Sequence, residues 1–308
     1  MICRVRLADT QTHRNPAMQL HASRPITGMI PMTETISLVA LGPEHLEGGL
    51  KLSRAAGWPH RLEDWQMSLA LSEGRALVSE SGEVVGTIFL TPFGTEAATI
   101  NLVIVDERMR GRGLGRKLMQ SALDLAGTRP LRLTATEDGQ PLYESLGFEA
   151  VGIIVQQQGT VGAVAAPTNV LPARPMDLPA IVELDRAAFG ADRQGLIGYI
   201  ANVGEFIVIE RAGHIVGFAG IRAFGRGEVI GPVVAEDAED ARDLIAYALA
   251  SRTGKFVRFD HPSDTGLGDW LTSLGLVNVG GGVAMQRPKV ALKPAKARTF
   301  GLASQALG

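Results

Sequence analysis

Ile100 to Leu123 restricts the fold more than any other stretch of the chain. An apolar, β-branched run, Ile100-Asn101-Leu102-Val103-Ile104-Val105, stops abruptly. Asp106-Glu107-Arg108-Met109-Arg110-Gly111-Arg112-Gly113-Leu114-Gly115-Arg116 follows, and apolar residues then recur at helical spacing through Leu114, Leu118 and Ala122, with Met119 and Leu123 beside them. The pattern predicts a strand, a basic glycine-rich loop and a helix. A helix start has main-chain N–H groups without partners and the positive end of the helix dipole, so this junction suits a phosphate or pyrophosphate. Gly113 and Gly115 let the backbone approach a ligand closely, and Arg110, Arg112 and Arg116 add charge.

Several nucleotide-binding folds use glycine-rich loops, and spacing separates them. Gly111-Arg112-Gly113-Leu114-Gly115-Arg116 breaks the dinucleotide pattern G-x-G-x-x-G at its last position, and the Gly-Lys-Ser/Thr of a P-loop is missing. Arg-x-x-Gly-x-Gly at Arg110, Gly113 and Gly115 resembles the acetyl-coenzyme A loop of the GNAT acetyltransferases. A second passage agrees. The strand-like Leu131-Arg132-Leu133-Thr134-Ala135-Thr136 precedes Gly139-Gln140-Pro141-Leu142-Tyr143-Glu144-Ser145-Leu146-Gly147-Phe148, which resembles the family's tyrosine-bearing helix and Leu-Gly-Phe turn.

The resemblance covers about residues 32–160 and implies acetyl-coenzyme A as cosubstrate. Its pyrophosphate would bind the main chain of Arg110, Gly111, Arg112, Gly113, Leu114, Gly115 and Arg116. Its pantetheine arm would pair with Val103, Ile104 and Val105, where a main-chain N–H would also serve the thioester oxygen. Tyr143 would protonate the departing thiolate. Without the resemblance, Tyr143 reads as a half-buried helix tyrosine packed under the sheet.

Strands are expected at 35–39, 75–79, 84–90, 97–105, 131–136 and 148–155, with helices after Pro43, from about Leu62, after the loop, and at 139–146. The second half repeats this order. Gly82-Glu83-Val84-Val85-Gly86 is echoed by Gly213-His214-Ile215-Val216-Gly217, and Leu142 to Phe148 by Trp270 to Leu276, with Leu271 in the place of Tyr143. The strand Val229 to Val234 runs into the acidic Ala235 to Asp243, where the loop's glycines and arginines are gone and coenzyme binding is not expected. The fold class is therefore α/β (α+β), two tandem GNAT-like domains, each a mixed, mostly antiparallel sheet flanked by helices. The expected division is an extension over 1–31, disordered or from a mis-assigned start, an acetyltransferase domain over 32–160, a degenerate copy over 161–286 with a boundary within 158–168, and a basic tail over 287–308.

Charge is segregated along the chain. Residues 1–31 hold four Arg and one acid, and residues 287–308 hold five Lys or Arg and no acid, which leaves an acidic body. Such a body lacks the basic face that nucleic acid requires. No apolar run is long enough to span a bilayer, so no membrane partner is expected. The lone Cys3 excludes an internal disulfide, and a cytoplasmic location is the simplest expectation. No His or Cys spacing suggests a metal. The chain is compatible with a homo-oligomer.

Trp58, Asp64 and Trp65 fall where GNAT enzymes build the acceptor pocket. The tryptophans could wall an amine and Asp64 could pair with it. Trp65 also fits an amphipathic helix core, Asp64 an early-turn helix acid, and His60 a surface position. No general base is evident: Thr99 stands where some relatives place a glutamate, and Glu96 reads as a solvated loop acid. A lysine-like amine costs about 4.6 kcal/mol to deprotonate at pH 7, but an α-amine only about 1 to 1.4 kcal/mol, so an α-amine needs no dedicated base. The function expected is direct acetyl transfer to a primary amine of a small molecule, the acidic body favouring a cationic amine, with Asp192 or Asp260 supporting it. An acyl-coenzyme A-binding regulatory module without turnover is the rival reading.

Overall fold

In the computed structural model, which describes residues 35–291 and 294–308, the apolar runs become strands in the expected order. The 1–31 extension lies outside the described residues. The first half contains β1 (Ile36–Ala40), α1 (Leu46–Ala55), α2 (Leu62–Leu71), β2 (Glu73–Ser79), β3 (Val84–Phe93), β4 (Ala97–Val105), α3 (Leu114–Ala126), β5 (Leu131–Ala135), α4 (Gln140–Glu144) and β6 (Glu149–Thr160). The second half contains β7 (Val170–Pro172), α5 (Leu178–Phe189), α6 (Gln194–Val203), β8 (Gly204–Arg211), β9 (His214–Phe224), β10 (Gly227–Ala235), α7 (Ala238–Ala250), β11 (Phe256–Pro262), α8 (Gly268–Ser273), β12 (Val277–Arg287) and β13 (Arg298–Gly301). α3 buries Leu114, Leu118, Met119, Ala122 and Ala126 on one face, the stripe that its sequence period requires.

The strands form one sheet in the order β1-β2-β3-β4-β5-β12-β6-β11-β10-β9-β8-β7, with β13 paired to β10. Among the described residues, only β4 with β5 and β10 with β11 run parallel. Each repeat is thus mixed and mostly antiparallel, as expected. The two repeats exchange their last strands. β6 pairs with β11 of the second half from Thr160↔Phe256 to Ile154↔Pro262, while β12 of the second half enters between β5 and β6. Residues 158–160 are therefore strand and not linker. Met67, Phe93 and Ala97 of the first half also share a core with Ile181, Phe189, Ile197 and Ile200 of the second.

A bulge opens the sheet at its functional end. β4 and β5 pair at Ala98↔Leu131 and Thr99↔Arg132, then diverge. On the other side of β4, Thr87 faces Ile104 and Phe89 faces Asn101, so β4 carries one extra residue. Leu102 takes the strained left-handed φ of +47°, and its main-chain oxygen accepts a 2.9 Å hydrogen bond from Thr87 Oγ1. A bulge bends its strand, and beyond Thr99 alternate main-chain N–H and C=O groups of β4 face a cleft of about 1150 Å³.

The second half has the same bulge on β10, between Ile230 and Val233, but there β13 lies against β10. Residues 287–308 are not a free basic tail. β13 runs along β10 at Val233 to Ala235, Phe300, Leu302, Ala303 and Leu307 are buried, and Leu302 N donates to the main-chain oxygen of Asp260 at 2.8 Å. The approach is so close that a Cβ on Gly231 would stand 1.9 Å from the Leu302 oxygen. The basic residues disguised an apolar segment, Phe300 to Leu307, whose burial fills the gap that the bulge creates.

Candidate active site

The glycine loop presents main-chain donors to the open cleft. Gly111 and Gly113 adopt φ of +75° and +72°, and no atom lies within 4 Å of where a Cβ would stand on either. Gly113 is the N-cap of α3 and no side chain caps the helix. The first bond back to the cap runs from Lys117 N to Gly113 O at 3.0 Å, so the amides just before it are free for a ligand. Arg110 and Arg116 are exposed on the rim, Arg110 near Asp138 at 3.8 Å and Arg116 donating to Ser145 Oγ at 2.8 Å, whereas Arg112 is exposed but does not line the cleft, its Nη1 donating to Met109 Sδ at 2.9 Å. Arg108 also lines the cleft, its charge paired with Asp106 and Glu83. Uncapped amides, a positive helix end and flanking guanidiniums fit a diphosphate.

The counterpart in the second half is closed chemically as well as sterically. The loop of residues 106–113 is reduced to 236–237 before α7. Asp237 Oδ1 accepts from Glu239 N and Asp240 N, each at 2.9 Å, so α7 is capped by its own chain.

Tyr143 lies on α4 at the wall of the cleft, beside Leu142 and Gly139. Its ring packs edge-on to Phe148 at 6.1 Å and belongs to the first-half core. Burial pushes the phenol up to about 12, which keeps it protonated and a hydrogen-bond donor at neutral pH. Core packing of the ring and a cleft-lining position thus coexist.

A second pocket of about 640 Å³ adjoins the cleft and shares Trp58, Ile100, Asn101, Leu102, Thr134 and Thr136 with it. Trp58, Asp64 and Trp65 all line this pocket, Trp58 at the junction, and the other two also hold the fold together. Trp65 is fully buried and its Nε1 donates to Ser53 Oγ at 3.3 Å, while its ring packs edge-on to Phe89. Asp64 caps the start of α2: its carboxylate accepts from Arg61 N at 2.8 Å, from Arg61 Nη2 at 2.8 Å and from Gly225 N at 3.0 Å. Burial alone would raise this carboxyl, but those hydrogen bonds outweigh it and hold the group below the usual range. Asp64 is therefore a tie between the halves, not an open partner for an amine. Asp260 is likewise fully buried and accepts from Arg258 Nε at 2.8 Å, and Asp192 receives the amide of Gln194.

His60 is not on the surface. It lies between the rings of Trp58 and Phe224, at 5.9 and 5.6 Å, with Nδ1 buried and unpartnered. Burial lowers its pKa to about 4, so the imidazole is neutral at pH 7. Thr99 is buried with its hydroxyl unpartnered, and Glu96 pairs with Arg186 at 3.6 Å away from the pocket.

Much of this pocket comes from residues that sequence reasoning missed. Arg222, Phe224, Arg226 and Arg258 of the second half line it, with Gln156 and Gln158 of β6 and the C-terminal Ser304 to Leu307. A signal was present: Arg222 and Arg258 interrupt otherwise apolar strands, Phe218 to Phe224 and Phe256 to Phe259. A charged residue inside such a run is costly unless paired or functional.

Comparison with known proteins agrees with this architecture. Acetyltransferase (GNAT) domain models match residues 72–150 and 181–301. The uncharacterized N-acetyltransferase YitH of Bacillus subtilis is 30% identical over 249 residues, covering 77% of this chain and 86% of its own. Holothin acyltransferase of a Pseudoalteromonas species is 25% identical over 236 residues, 70% of this chain and 78% of its own. Among solved structures, a candidate acetyltransferase from Pyrococcus horikoshii aligns with a TM-score of 0.73 at 19% identity, covering 89% of this chain and 96% of its own. A tandem GNAT protein from the clavulanic acid biosynthesis pathway aligns at 0.58 and 18% identity, over 85% and 100% of the respective chains. The chain belongs to the GNAT acetyltransferase family, and its two halves are tandem copies of that fold. Among the described residues, no helix is long and apolar enough to cross a membrane.

Proposed function

We propose that the protein transfers acetyl from acetyl-coenzyme A to the primary amine of a small molecule held in the second pocket. The observation that carries this reading is the junction at Asn101–Leu102, where a cleft walled by an uncapped helix start and Tyr143 opens into a separate, side-chain-lined pocket. The names of the two sequence relatives support acyl transfer as the chemistry. Only one half offers a coenzyme site, since β13 and the Asp237 cap occupy the counterpart of the other.

Acetyl-coenzyme A, when bound, supplies an activated thioester. The loop amides from Gly111 to Arg116 and the flanking arginines hold the diphosphate, and the free edge of β4 from Val103 to Val105 receives the amide-bearing arm. The amine nitrogen forms the new C–N bond as the C–S bond breaks; the amine's proton leaves to water, the sulfur takes a proton from Tyr143, and the phenolate regains one from water, so that no net proton is released. With the phenol raised to about 12, full transfer to a thiolate whose thiol has an ordinary pKa of about 8.5 is uphill, so Tyr143 acts first as a hydrogen-bond donor to the developing negative charge on sulfur. None of the six residues shared by the cleft and the pocket is acidic, which suits an amine of low pKa.

Replacing Tyr143 with Phe keeps the ring packing and removes the donor. Steady-state kinetics should show kcat reduced by roughly a hundredfold, with acetyl-coenzyme A affinity changed less than about twofold. A variant with unchanged kcat would assign Tyr143 to packing alone. Tight coenzyme binding by the unaltered protein, with no amine acetylated, would favour a regulatory module instead.

A further inference from the structure

The second pocket is cationic although the body of the protein is acidic. Arg222, Arg226 and Arg258 line it, and Asp64 is its one acidic lining residue among the described residues. Two ion pairs cancel locally, Arg61 with Asp64 and Arg258 with Asp260. Arg222 and Arg226 remain in excess. Arg226 is exposed at the rim with its guanidinium over Phe256 at 4.6 Å. Arg222 is 3% exposed; its Nη2 donates to Ala303 O at 3.1 Å, its Nη1 to Ala223 O at 3.4 Å, and its Nε has no partner. Its nearest carboxylate, Asp64, is 4.0 Å away, beyond hydrogen-bond reach, and is hydrogen-bonded to Arg61 and Gly225. The neutral His60 adds no charge.

A buried guanidinium whose nearest carboxylate is 4.0 Å away and shared is costly, and an anion in the pocket that Arg222 lines would offset that cost. A carboxylate is the acceptor group that matches a guanidinium fork, and a cationic ligand would meet like charge at close range. The pocket volume of about 640 Å³ accommodates a molecule of amino-acid size or larger. We propose, resting on the acetyl-transfer reading, that the acceptor is an amine that also carries a carboxylate, an amino acid or a close analogue. Its carboxylate is received by Arg222 and Arg226, and its amine is turned to the Asn101–Leu102 junction. The local charge of the pocket, not the global acidity of the body, sets the preference. This reverses the cationic-amine expectation.

The test does not depend on turnover. Ligand-observed NMR on the full chain saturated with coenzyme A compares N-acetyl amino acids, as product anions, with their N-acetyl carboxamides. At least one anion should bind ten or more times tighter than its carboxamide, about 1.4 kcal/mol. Arg226→Gln, at an exposed position, should weaken that anion about threefold and leave the carboxamide unchanged, whereas Arg222→Met should erase the discrimination. Carboxamides bound equally well, or neither panel bound, would overturn the proposal. The outcomes also separate the two readings. Anion binding without acetylation of the matching free amino acid would remove acetyl transfer and keep the anion site. Acetylation of uncharged amines with no preference for carboxylates would do the opposite.

Discussion

Gly113→Val should weaken acetyl-coenzyme A binding at least tenfold, about 1.4 kcal/mol, while leaving the fold in place. Gly113 has φ of +72° and forms the N-cap of α3. A β-branched residue there costs on the order of 1–2 kcal/mol in the left-handed region, and the loop can relieve that cost only by rotating its amides out of position. If the backbone holds, the two methyl groups stand where a diphosphate must approach the chain. No protein atom lies within 4 Å of the added Cβ, so the penalty falls on the ligand and the loop conformation, not on core packing. A substitution at Gly115 is a poorer probe, because its Cβ would meet Leu142 Cδ2 at 3.3 Å and disturb the helix that bears Tyr143. Titration calorimetry with a thermal melt of the same variant decides the matter. Unchanged affinity in a folded variant would mean that this loop is not the coenzyme site.

Dividing the chain after Thr160 should abolish cooperative folding of both pieces. Residues 35–160 lose β12, which lies between β5 and β6, and are left with β5 and β6 unpaired along facing edges. Residues 161–308 lose β6, the partner of β11 along its length. They also lose Met67, Phe93 and Ala97, which complete the core around Phe189 and Ile197. Open apolar edges of this length associate with other chains. Circular dichroism melts of the separate fragments should show no cooperative transition, whereas coexpression should yield a one-to-one complex that melts as a unit. A fragment 35–160 that unfolds cooperatively and binds acetyl-coenzyme A would contradict the exchange.

How far the sequence reaches is clear from particular residues. Strands and helices of the first half follow from apolar periodicity, and the phosphate-binding loop from a spacing of Arg110, Gly113 and Gly115 that few other structures require. The repeat of Gly82–Gly86 at Gly213–Gly217 exposed the tandem architecture, because a tight turn between strands leaves a local mark. Strand exchange leaves only an indirect mark: β12 carries Gly280 to Gly282, where a Cβ on Gly281 would stand 1.9 Å from the Ile154 oxygen and one on Gly282 2.5 Å from the Ala135 oxygen, but which neighbours demand those glycines is a long-range choice. The C-terminal segment was misread for a related reason. Its lysines and arginines are upstream of the Phe300–Leu307 stretch that fills the β10–β11 gap, so average charge concealed local burial. Asp64 and Trp65 were placed correctly in the chain, but the identities of their partners, Arg61, Gly225 and Ser53, decide that they hold the fold together. The cationic lining was hidden because net charge sums over surfaces that never face the same cavity.

The account rests on acetyl passing from the cleft to an amine in the adjoining pocket. Its most direct test is to incubate the full chain with acetyl-coenzyme A labelled in the acetyl group and a mixture of free amino acids and uncharged amines, then follow the label by mass spectrometry. The label should appear on an amine nitrogen with one free coenzyme A thiol released per acetyl transferred. Coenzyme bound to the protein, with the label never leaving the thioester for any amine, would contradict it.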